Sequence, residues 1–214
     1  MVAAVIFDMD GTLLDSEAVS QAVWDEVLRS HGIEDSLALR RGFIGRSVAI
    51  NASKLYEIFG SEEEVRQAYR ERDELFTKKS KTDLTVKPGA FEAIGALRKD
   101  GYAIGLATGT HRAQAMERLE MFGFPPLFDS MTFGDDLPGK PAPDIFLKAS
   151  EDVGASPAEC VVVEDSPNGV LSAHAAGMRV LMIPDLIEPT DDITALCETV
   201  LDSLFEVEDA VSRL

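Results

Sequence analysis

The sequence predicts an α/β fold, in which short buried strands alternate with helices. Short apolar runs of the kind that form parallel strands buried on both faces recur along the chain. Helical stretches lie between them, and these stretches stop at a glycine, a common helix-terminating residue. The predicted strands are Ala3–Phe7, Ala103–Ala107, Val161–Val163 and Val180–Ile183, and the predicted helices between them are Ala90–Asp100, Arg112–Phe122 and Asn168–Ala176.

A helical segment interrupts this alternation between residues 16 and 83. It contains no convincing strand run, and Pro88–Gly89 indicates the return to the alternating pattern. We therefore predict a core formed by residues 1–15 and 84–214, with residues 16–83 as an inserted helical domain. The predicted helices of the insertion are Glu17–His31, Val48–Phe59 and Glu62–Lys79.

The composition is that of an acidic globular protein. With 214 residues, of which 45% are hydrophobic and 27% charged, the chain can bury a sizeable core. A formal net charge of −18 and a pI near 4.4 repel nucleic acid and anionic membrane surfaces, so we expect neither as a partner. A site for an anionic substrate must therefore carry its own positive charge.

The N-terminal sequence M-V-A-A-V-I-F-D-M-D reaches a charged residue too early for the apolar region of a signal peptide. No apolar run approaches the length of a membrane span. Cys160 and Cys197 lie far apart, outside any C-x-x-C pattern. These features predict a cytoplasmic protein with inert thiols.

Polar residues follow the predicted strands at the point where each strand ends. Asp8 follows the first strand, Thr108 the second, and Glu164 with Asp165 a later one, while Lys140 lies in the loop G-K-P-A-P-D. Ligands of open parallel sheets bind outside the carboxyl ends of the strands. We therefore expect these segments to converge on one crevice.

The segment Asp8–Thr12 reads D-M-D-G-T. Taken alone, it is also compatible with a turn stabilised by an aspartate side chain, although that alternative leaves the other polar sites unexplained. A carboxylate can attack phosphorus, and side chains two residues apart point the same way in an extended chain. Asp8 is thus the candidate nucleophile, and Asp10 is the candidate group that handles the proton.

Positive charge and hydrogen-bond donors for a phosphate are available at two further sites. Thr108 and the amide of Gly109 lie at a predicted strand-to-helix junction, where a hydroxyl and free N–H groups can bind phosphate oxygens. Thr108 could also cap the helix, a role that is compatible with phosphate binding. Lys140 can supply a point charge, with a solvated loop lysine as the alternative.

Glu164 and Asp165 are adjacent acids at the end of a buried strand, a costly position unless a cation or hydrogen bonds compensate them. With Asp8 they form an oxygen-rich set suited to Mg²⁺. Asp165 could instead cap the helix that starts near Asn168, but this explanation does not extend to Asp8.

The motifs together resemble those of the haloacid dehalogenase superfamily, in its β-phosphoglucomutase-like phosphatase branch with an α-helical cap. They span nearly the whole chain in the order of that family. The four matches are D-M-D-G-T at Asp8–Thr12, A-T-G-T at Ala107–Thr110, G-K-P at Gly139–Pro141 and V-E-D-S at Val163–Ser166.

This resemblance implies a Rossmann-like core with a helical cap inserted after the first strand, and it implies roles for single residues. Asp8 matches the nucleophile and Asp10 the general acid/base, while Thr108 and Lys140 match the phosphate-binding pair. Members that cleave carbon–halogen bonds lack an acid at the position of Asp10, so the resemblance implies phosphate chemistry here.

The resemblance also implies Mg²⁺ as cofactor. Asp8, Asp165 and the backbone carbonyl of Asp10 match its ligands, and Glu164 matches a position that supports the metal site. A small-molecule phosphate ester is the implied partner.

Three further residues are candidates for substrate binding. Arg46 lies where capped relatives place a specificity loop, and His111 follows the phosphate-binding junction together with Arg112. For each of these residues a solvated surface position is the alternative.

Three functions are compatible with these observations: a phosphatase, a phosphosugar mutase of the β-phosphoglucomutase type, and a non-catalytic binding protein. A non-catalytic binding protein would have no use for unpaired acids that lie close together. The mutases carry a histidine after the first motif and a lysine in the cap, which delay hydrolysis of the phospho-aspartate. Here Ser20 corresponds to the histidine, and Ala68–Asp73 offers Arg70 and Arg72 but no lysine. We therefore expect hydrolysis.

Overall fold

The computed structural model describes residues 1–43 and 48–214, which form two compact units. Met1–Asp15 and Val86–Leu214 form the core unit, and Ser16–Thr85 forms the helical unit. In chain order the elements are β1 (Ala4–Phe7), α1 (Ser16–Ser30), α2 (Leu37–Arg41), α3 (Val48–Phe59), α4 (Glu62–Asp83), α5 (Ala90–Lys99), β2 (Ala103–Thr108), α6 (Arg112–Phe122), β3 (Ser130–Phe133), α7 (Asp144–Val153), β4 (Cys160–Glu164), α8 (Pro167–Ala175), β5 (Arg179–Met182), α9 (Asp191–Thr194), β6 (Thr199–Val200) and α10 (Val207–Ser212).

The core unit is built on a six-stranded sheet in the order β3-β2-β1-β4-β5-β6, and every pairing is parallel. The predicted α/β class is therefore confirmed. β1 lies between β2 and β4, with Phe7 opposite both Leu106 and Val163. Because all four residues of β1 are buried, the apolar run Ala4–Phe7 is suited to this central position. The register brings the carboxyl ends of β1, β2 and β4 to one place.

The structure contains two strands that the hydrophobic pattern does not predict. β3 is an edge strand in which Ser130 and Thr132 interrupt the apolar residues. β6 comprises only Thr199 and Val200. Neither segment forms an uninterrupted apolar run, because an edge strand needs less buried surface than a central one. α7 also lacked a sequence prediction; it contacts β2 and β3.

The helical unit consists of helices wherever the structure describes it, and α1 packs along α4. Trp24 is buried and makes edge-to-face contacts with Phe43 and Tyr69, at ring-centroid distances of 5.1 and 5.3 Å. This aromatic cluster forms part of the unit's packing. No helix within residues 1–43 and 48–214 is both long and apolar enough to cross a bilayer.

Candidate active site

The carboxyl ends of the central strands bring together the polar residues that follow them. The Asp8 backbone N–H donates to the Val163 carbonyl at 3.0 Å, which extends the β1–β4 pairing by one residue. The side chains of Asp8, Thr108, Glu164 and Asp165 are all buried. The predicted convergence of these strand ends on one site is therefore observed in the geometry.

Lys140 lies within this group of acids. Its Nζ donates to Oδ1 of Asp8 at 2.5 Å and to Oε1 of Glu164 at 2.6 Å. It also lies 4.7 Å from the centroid of the Phe146 ring, and its side chain is only 12% exposed. The alternative of a solvated loop lysine is therefore wrong, because both partners and the aromatic ring remove Lys140 from water.

The buried charges shift the ionisation of this cluster. Burial raises the pKa of Asp8 to about 8; the ammonium of Lys140 opposes this shift, and the carboxylates of Glu164 and Asp10 add to it. Burial also opposes the charge on Lys140, but the carboxylates of Asp8 and Glu164 outweigh it and raise the pKa of Lys140 above its usual value. A bound cation would favour the ionised form of Asp8.

Asp8, Glu164 and Asp165 form a cluster of three carboxylates with ligand oxygens within 4.8 Å of one another. Three buried carboxylates carry more negative charge than the ammonium of Lys140 neutralises. Oxygen ligands of this kind are the donors that Mg²⁺ prefers. The donor set therefore fits the predicted cofactor.

Gly11 makes room for the Asp165 side chain. It has a φ of +87°, and a Cβ at this position would lie 2.3 Å from Oδ2 of Asp165. On the same carboxylate, Oδ1 accepts a hydrogen bond from the Thr12 hydroxyl at 3.3 Å. The G-T pair of the first motif thus holds Asp165, the acid that directly follows β4, close to Asp8.

Glu164 and Asp165 differ in their surroundings. Oε2 of Glu164 accepts hydrogen bonds from the Ser166 backbone N–H at 2.7 Å and from its hydroxyl at 3.0 Å. The Ser166 hydroxyl also accepts from the Gly169 N–H at 3.1 Å and so caps α8. Because Ser166 is the cap, the alternative that Asp165 caps this helix is wrong.

Asp10 is held at both of its carboxylate oxygens. Oδ2 accepts from the Thr110 hydroxyl at 2.7 Å and, at 3.5 Å, from that of Thr108. Oδ1 accepts from Nη1 of Arg118 at 3.0 Å. The Asp10 carboxylate is not a member of the Asp8 cluster, which leaves its backbone carbonyl as the predicted metal ligand. Thr110 belongs to the second motif, whereas an arginine in the middle of a helix carries no sequence signal.

The loop between β2 and α6 is fixed by several backbone contacts. The Thr110 N–H donates to the Thr108 hydroxyl at 3.1 Å, and the Gly134 N–H donates to the Thr110 carbonyl at 3.2 Å. A Cβ at Gly134 would lie 2.1 Å from the Gly109 carbonyl oxygen. This close approach requires glycine and fixes the segment that was predicted to bind phosphate.

Asp135, and not Thr108, caps α6. Its Oδ2 accepts from the Arg112 N–H at 2.8 Å, and its Oδ1 lies 3.1 Å from Nδ1 of His111. The side chain of His111 is 69% exposed. The geometry thus pairs the candidate His111 with Asp135, while the candidate Arg46 lies outside the described residues.

The chain is similar to relatives of known name over most of its length. The chain is 31% identical over 216 residues to the phosphorylated carbohydrates phosphatase of Thermotoga maritima, covering 99% of this chain and 97% of that one. It is 32% identical over 178 residues to hexitol phosphatase A of Escherichia coli, covering 83% of this chain and 81% of that one. The β-phosphoglucomutase of Clostridium difficile has a similar structure, with a TM-score of 0.79 over 100% of this chain and 98% of the other.

The structural likeness to the mutase comes with 20% sequence identity, so it supports the fold alone. The sequence profile of the haloacid dehalogenase-like hydrolases matches residues 2–177, which include all four motifs. The chain therefore belongs to the haloacid dehalogenase-like hydrolase family.

Proposed function

We propose that this protein is a Mg²⁺-dependent phosphatase that hydrolyses a small phosphate monoester through a phospho-aspartate formed on Asp8. The observation that carries the proposal is the buried arrangement in which Lys140 contacts both Asp8 and Glu164, beside Asp165. It combines a candidate nucleophile, a fixed positive charge for phosphoryl oxygens and an oxygen-rich cation site. A non-catalytic protein would bear the cost of burying these charges without using them.

Asp8, Asp165 and the backbone carbonyl of Asp10 would hold the cation, with Glu164 supporting the site. When bound, Mg²⁺ offsets the negative charge that the carboxylates and the phosphoryl group bring together. Glu164 is fixed by Ser166 and Lys140, which leaves its carboxylate oriented but neutralised in part. Glu164 thus keeps Lys140 in place.

In the first step a carboxylate oxygen of Asp8 attacks phosphorus, and the bond between phosphorus and the ester oxygen breaks. Asp10 delivers a proton to that oxygen as it leaves. In the second step Asp10 takes a proton from water, whose oxygen attacks the phosphorus of the phospho-aspartate. The bond to Asp8 then breaks, which regenerates the carboxylate and releases inorganic phosphate.

We propose a phosphorylated sugar or sugar alcohol as the substrate class, because the relatives are named for phosphorylated carbohydrates and hexitols. The identity of candidate cap residues favours hydrolysis over a mutase reaction. Ser20 lies on α1 at the position that corresponds to the mutases' histidine. On α4, Arg70 is paired with Glu63 and Arg72 with Asp73, both on their own helix.

Phosphate release from a panel of phosphorylated metabolites tests the proposal. We expect turnover with Mg²⁺, none in excess chelator, recovery when Mg²⁺ is restored and none with Ca²⁺, which prefers more ligands and looser geometry. Full activity in chelator would contradict the metal dependence. Mass spectrometry of acid-quenched enzyme should find the phosphoryl group on the peptide that contains Asp8.

A second assay separates hydrolysis from transfer. The enzyme is given β-glucose 1-phosphate with a trace of the bisphosphate, and both glucose 6-phosphate and inorganic phosphate are followed. Isomer formation much faster than phosphate release would assign a mutase. Phosphate release without the isomer would support the phosphatase.

A further inference from the structure

Asp10 has a partner that none of the four motifs contains. Arg118 lies in α6, downstream of the loop that joins this helix to β2. Helical side chains tilt toward the helix N-terminus, so a long side chain about 9 Å along the axis from the first residue can reach back to that end. Here the reach brings Nη1 of Arg118 to 3.0 Å from Oδ1 of Asp10.

The contact is only partly open to water. The side chain of Arg118 is 13% exposed and that of Asp10 is 25% exposed. Thr110 occupies the second oxygen of the same carboxylate, so the two groups together fix both the position and the rotation of the Asp10 side chain. A carboxylate that is bound at both oxygens has little freedom to turn away from the orientation in which it transfers a proton.

We propose that Arg118 is a positioning residue for the general acid/base Asp10, and this inference rests on the role of Asp10 in the proposed function. Arg118 orients the side chain of Asp10, whose carboxyl group gives its proton to the leaving oxygen and recovers one from water in the second step, without touching the substrate itself. Its loss leaves the threonine hydroxyls as the remaining constraint on a short, rotatable side chain. The step that needs a correctly placed proton donor is then the step that slows.

The alternative is a structural ion pair, which would affect all substrates alike. The leaving group of the substrate distinguishes a positioning role of Arg118 from a purely structural ion pair. Alkyl esters such as sorbitol 6-phosphate, glucose 6-phosphate and glycerol 3-phosphate need a proton at the departing oxygen, whereas p-nitrophenyl phosphate releases a stable anion. Positioning of Asp10 therefore matters for the alkyl esters and little for the aryl ester.

The experiment compares kcat for the best of these alkyl esters and for p-nitrophenyl phosphate in Arg118→Met. We expect a loss of about tenfold or more on the alkyl ester and less than about threefold on the aryl ester. The ratio of the two rates is measured in one preparation, so it does not depend on the fraction of protein that folds. Arg118→Lys should recover part of the ratio, because it restores a donor near Oδ1.

Arg98→Met is the matched control. Arg98 forms an ion pair with Asp129 at 3.1 Å, near the amino end of β2. This pair therefore lies at the end of the strands opposite to Asp8. We expect this variant to leave the ratio unchanged. A ratio that changes equally in both variants, or that stays constant in Arg118→Met, would overturn the proposal.

The Asp10→Asn background identifies the route by which Arg118 acts. If it acts through Asp10, Asp10→Asn with Arg118→Met should be no slower than Asp10→Asn alone. A further loss in the double variant, or a rise in KM for both esters, would show a direct role of Arg118 and overturn the inference. If Asp10→Asn itself slowed both esters equally, the proposed acid/base role of Asp10 would fail, which is a separate outcome.

Discussion

Ion pairs between a basic side chain and carboxylates occur both in the core unit and on α4 of the helical unit, but they lie in opposite surroundings. In the core unit, the side chains of Lys140, Asp8 and Glu164 are 12%, 7% and 1% exposed. On α4, the paired side chains of Arg66 and Glu62 are 57% and 77% exposed. The core pairs are also shorter, at 2.5 and 2.6 Å against 3.2 Å for Arg66 and Glu62, but the larger difference between the two regions is burial.

Burial changes what a charge costs and what it can do. A desolvated ion pair loses hydration that its partner must replace, whereas an exposed pair exchanges water for a contact of similar strength. The buried charges act on a substrate at full strength because little water screens them. Substitutions in the core cluster should therefore affect both activity and stability, and those on α4 neither.

The largest effect is expected for Asp8→Asn. An amide cannot attack phosphorus and is a poorer ligand for Mg²⁺, so turnover should fall by at least about 10³-fold. Phosphate release in the presence of Mg²⁺ measures the loss, and circular dichroism checks that the fold is retained. A variant that keeps more than a small fraction of the activity would contradict the nucleophilic role.

Lys140→Met is expected to affect both properties at once. It leaves Asp8 and Glu164 buried without the ammonium that both contact, which should lower the free energy of unfolding by about 3 kcal/mol. Loss of the positive charge should also lower kcat/KM by about 100-fold. Chemical denaturation and steady-state kinetics measure the two changes.

Lys148→Met on α7 is the control for that comparison, because the Lys148 side chain is 47% exposed and pairs with Asp152 on the same helix. It should leave both quantities nearly unchanged. Equal destabilisation by Lys140→Met and Lys148→Met would mean that burial does not determine how much an ion pair contributes to stability.

Two glycines extend the comparison between the core unit and the helical unit to the backbone. Gly11 in the core unit and Gly32 in the helical unit have similar φ values, +87° and +82°. A Cβ at Gly11 would meet Asp165, whereas a Cβ at Gly32 has no neighbour within 4 Å. Gly32→Ala should therefore cost only the left-handed strain, about 1 kcal/mol. Gly11→Ala should in addition displace Asp165 and raise the Mg²⁺ concentration for half-maximal activity about tenfold.

The measurement is a Mg²⁺ titration of activity for both variants, with thermal unfolding alongside. The same Mg²⁺ dependence in the two proteins would argue against Asp165 as a ligand.

The smallest effect is expected for Arg66→Ala on α4. Hydrogen bonds from Arg70 and Arg66 lower the pKa of Glu63 below its ordinary value of 4.5. This contribution to stability is present above that value and is lost as the pH falls through the pKa of the folded state. Because the side chains of Arg66 and Glu63 are exposed, we expect Tm at pH 7 to change by less than about 2 °C.

An NMR titration should nevertheless find the pKa of Glu63 raised in Arg66→Ala, because one of its donors is gone. A large loss of stability at pH 7 would show that exposed pairs on α4 matter as much as the buried cluster.

Several features could be predicted from local sequence because local physics decides them. The apolar run of β1 specifies a strand buried on both faces, and β1 is central in the sheet. Gly123, the predicted stop of α6, ends this helix with a φ of +76°. Asp8 and Glu164 could be predicted as site residues because a charge at the end of a buried strand is costly unless it is compensated. Lys140 could be predicted because it lies in the G-K-P loop.

Other features depend on contacts between segments that are distant in the chain. Arg118 meets Asp10, and Asp135 caps α6 in place of Thr108. The local sequence around Arg118 or Asp135 does not predict such a partner, because arginine and aspartate are both common on solvated surfaces. The edge strand β3 was missed for a related reason, since its pairing with β2 compensates for a weak apolar pattern.

The sequence by itself thus determined the α/β class, the order of the motifs and the residue types available for phosphate chemistry. Tertiary structure alone decided that Lys140 joins the predicted carboxylate cluster and that the Asp10 side chain is held apart from it by Thr110 and Arg118. Asp8 and Asp10 are separated by a single residue, yet Asp8 contacts Lys140 and Asp10 contacts Arg118. The physical reason is that hydrophobic spacing specifies strands and helices locally, whereas the partner of a charge depends on which strand ends the sheet order brings together.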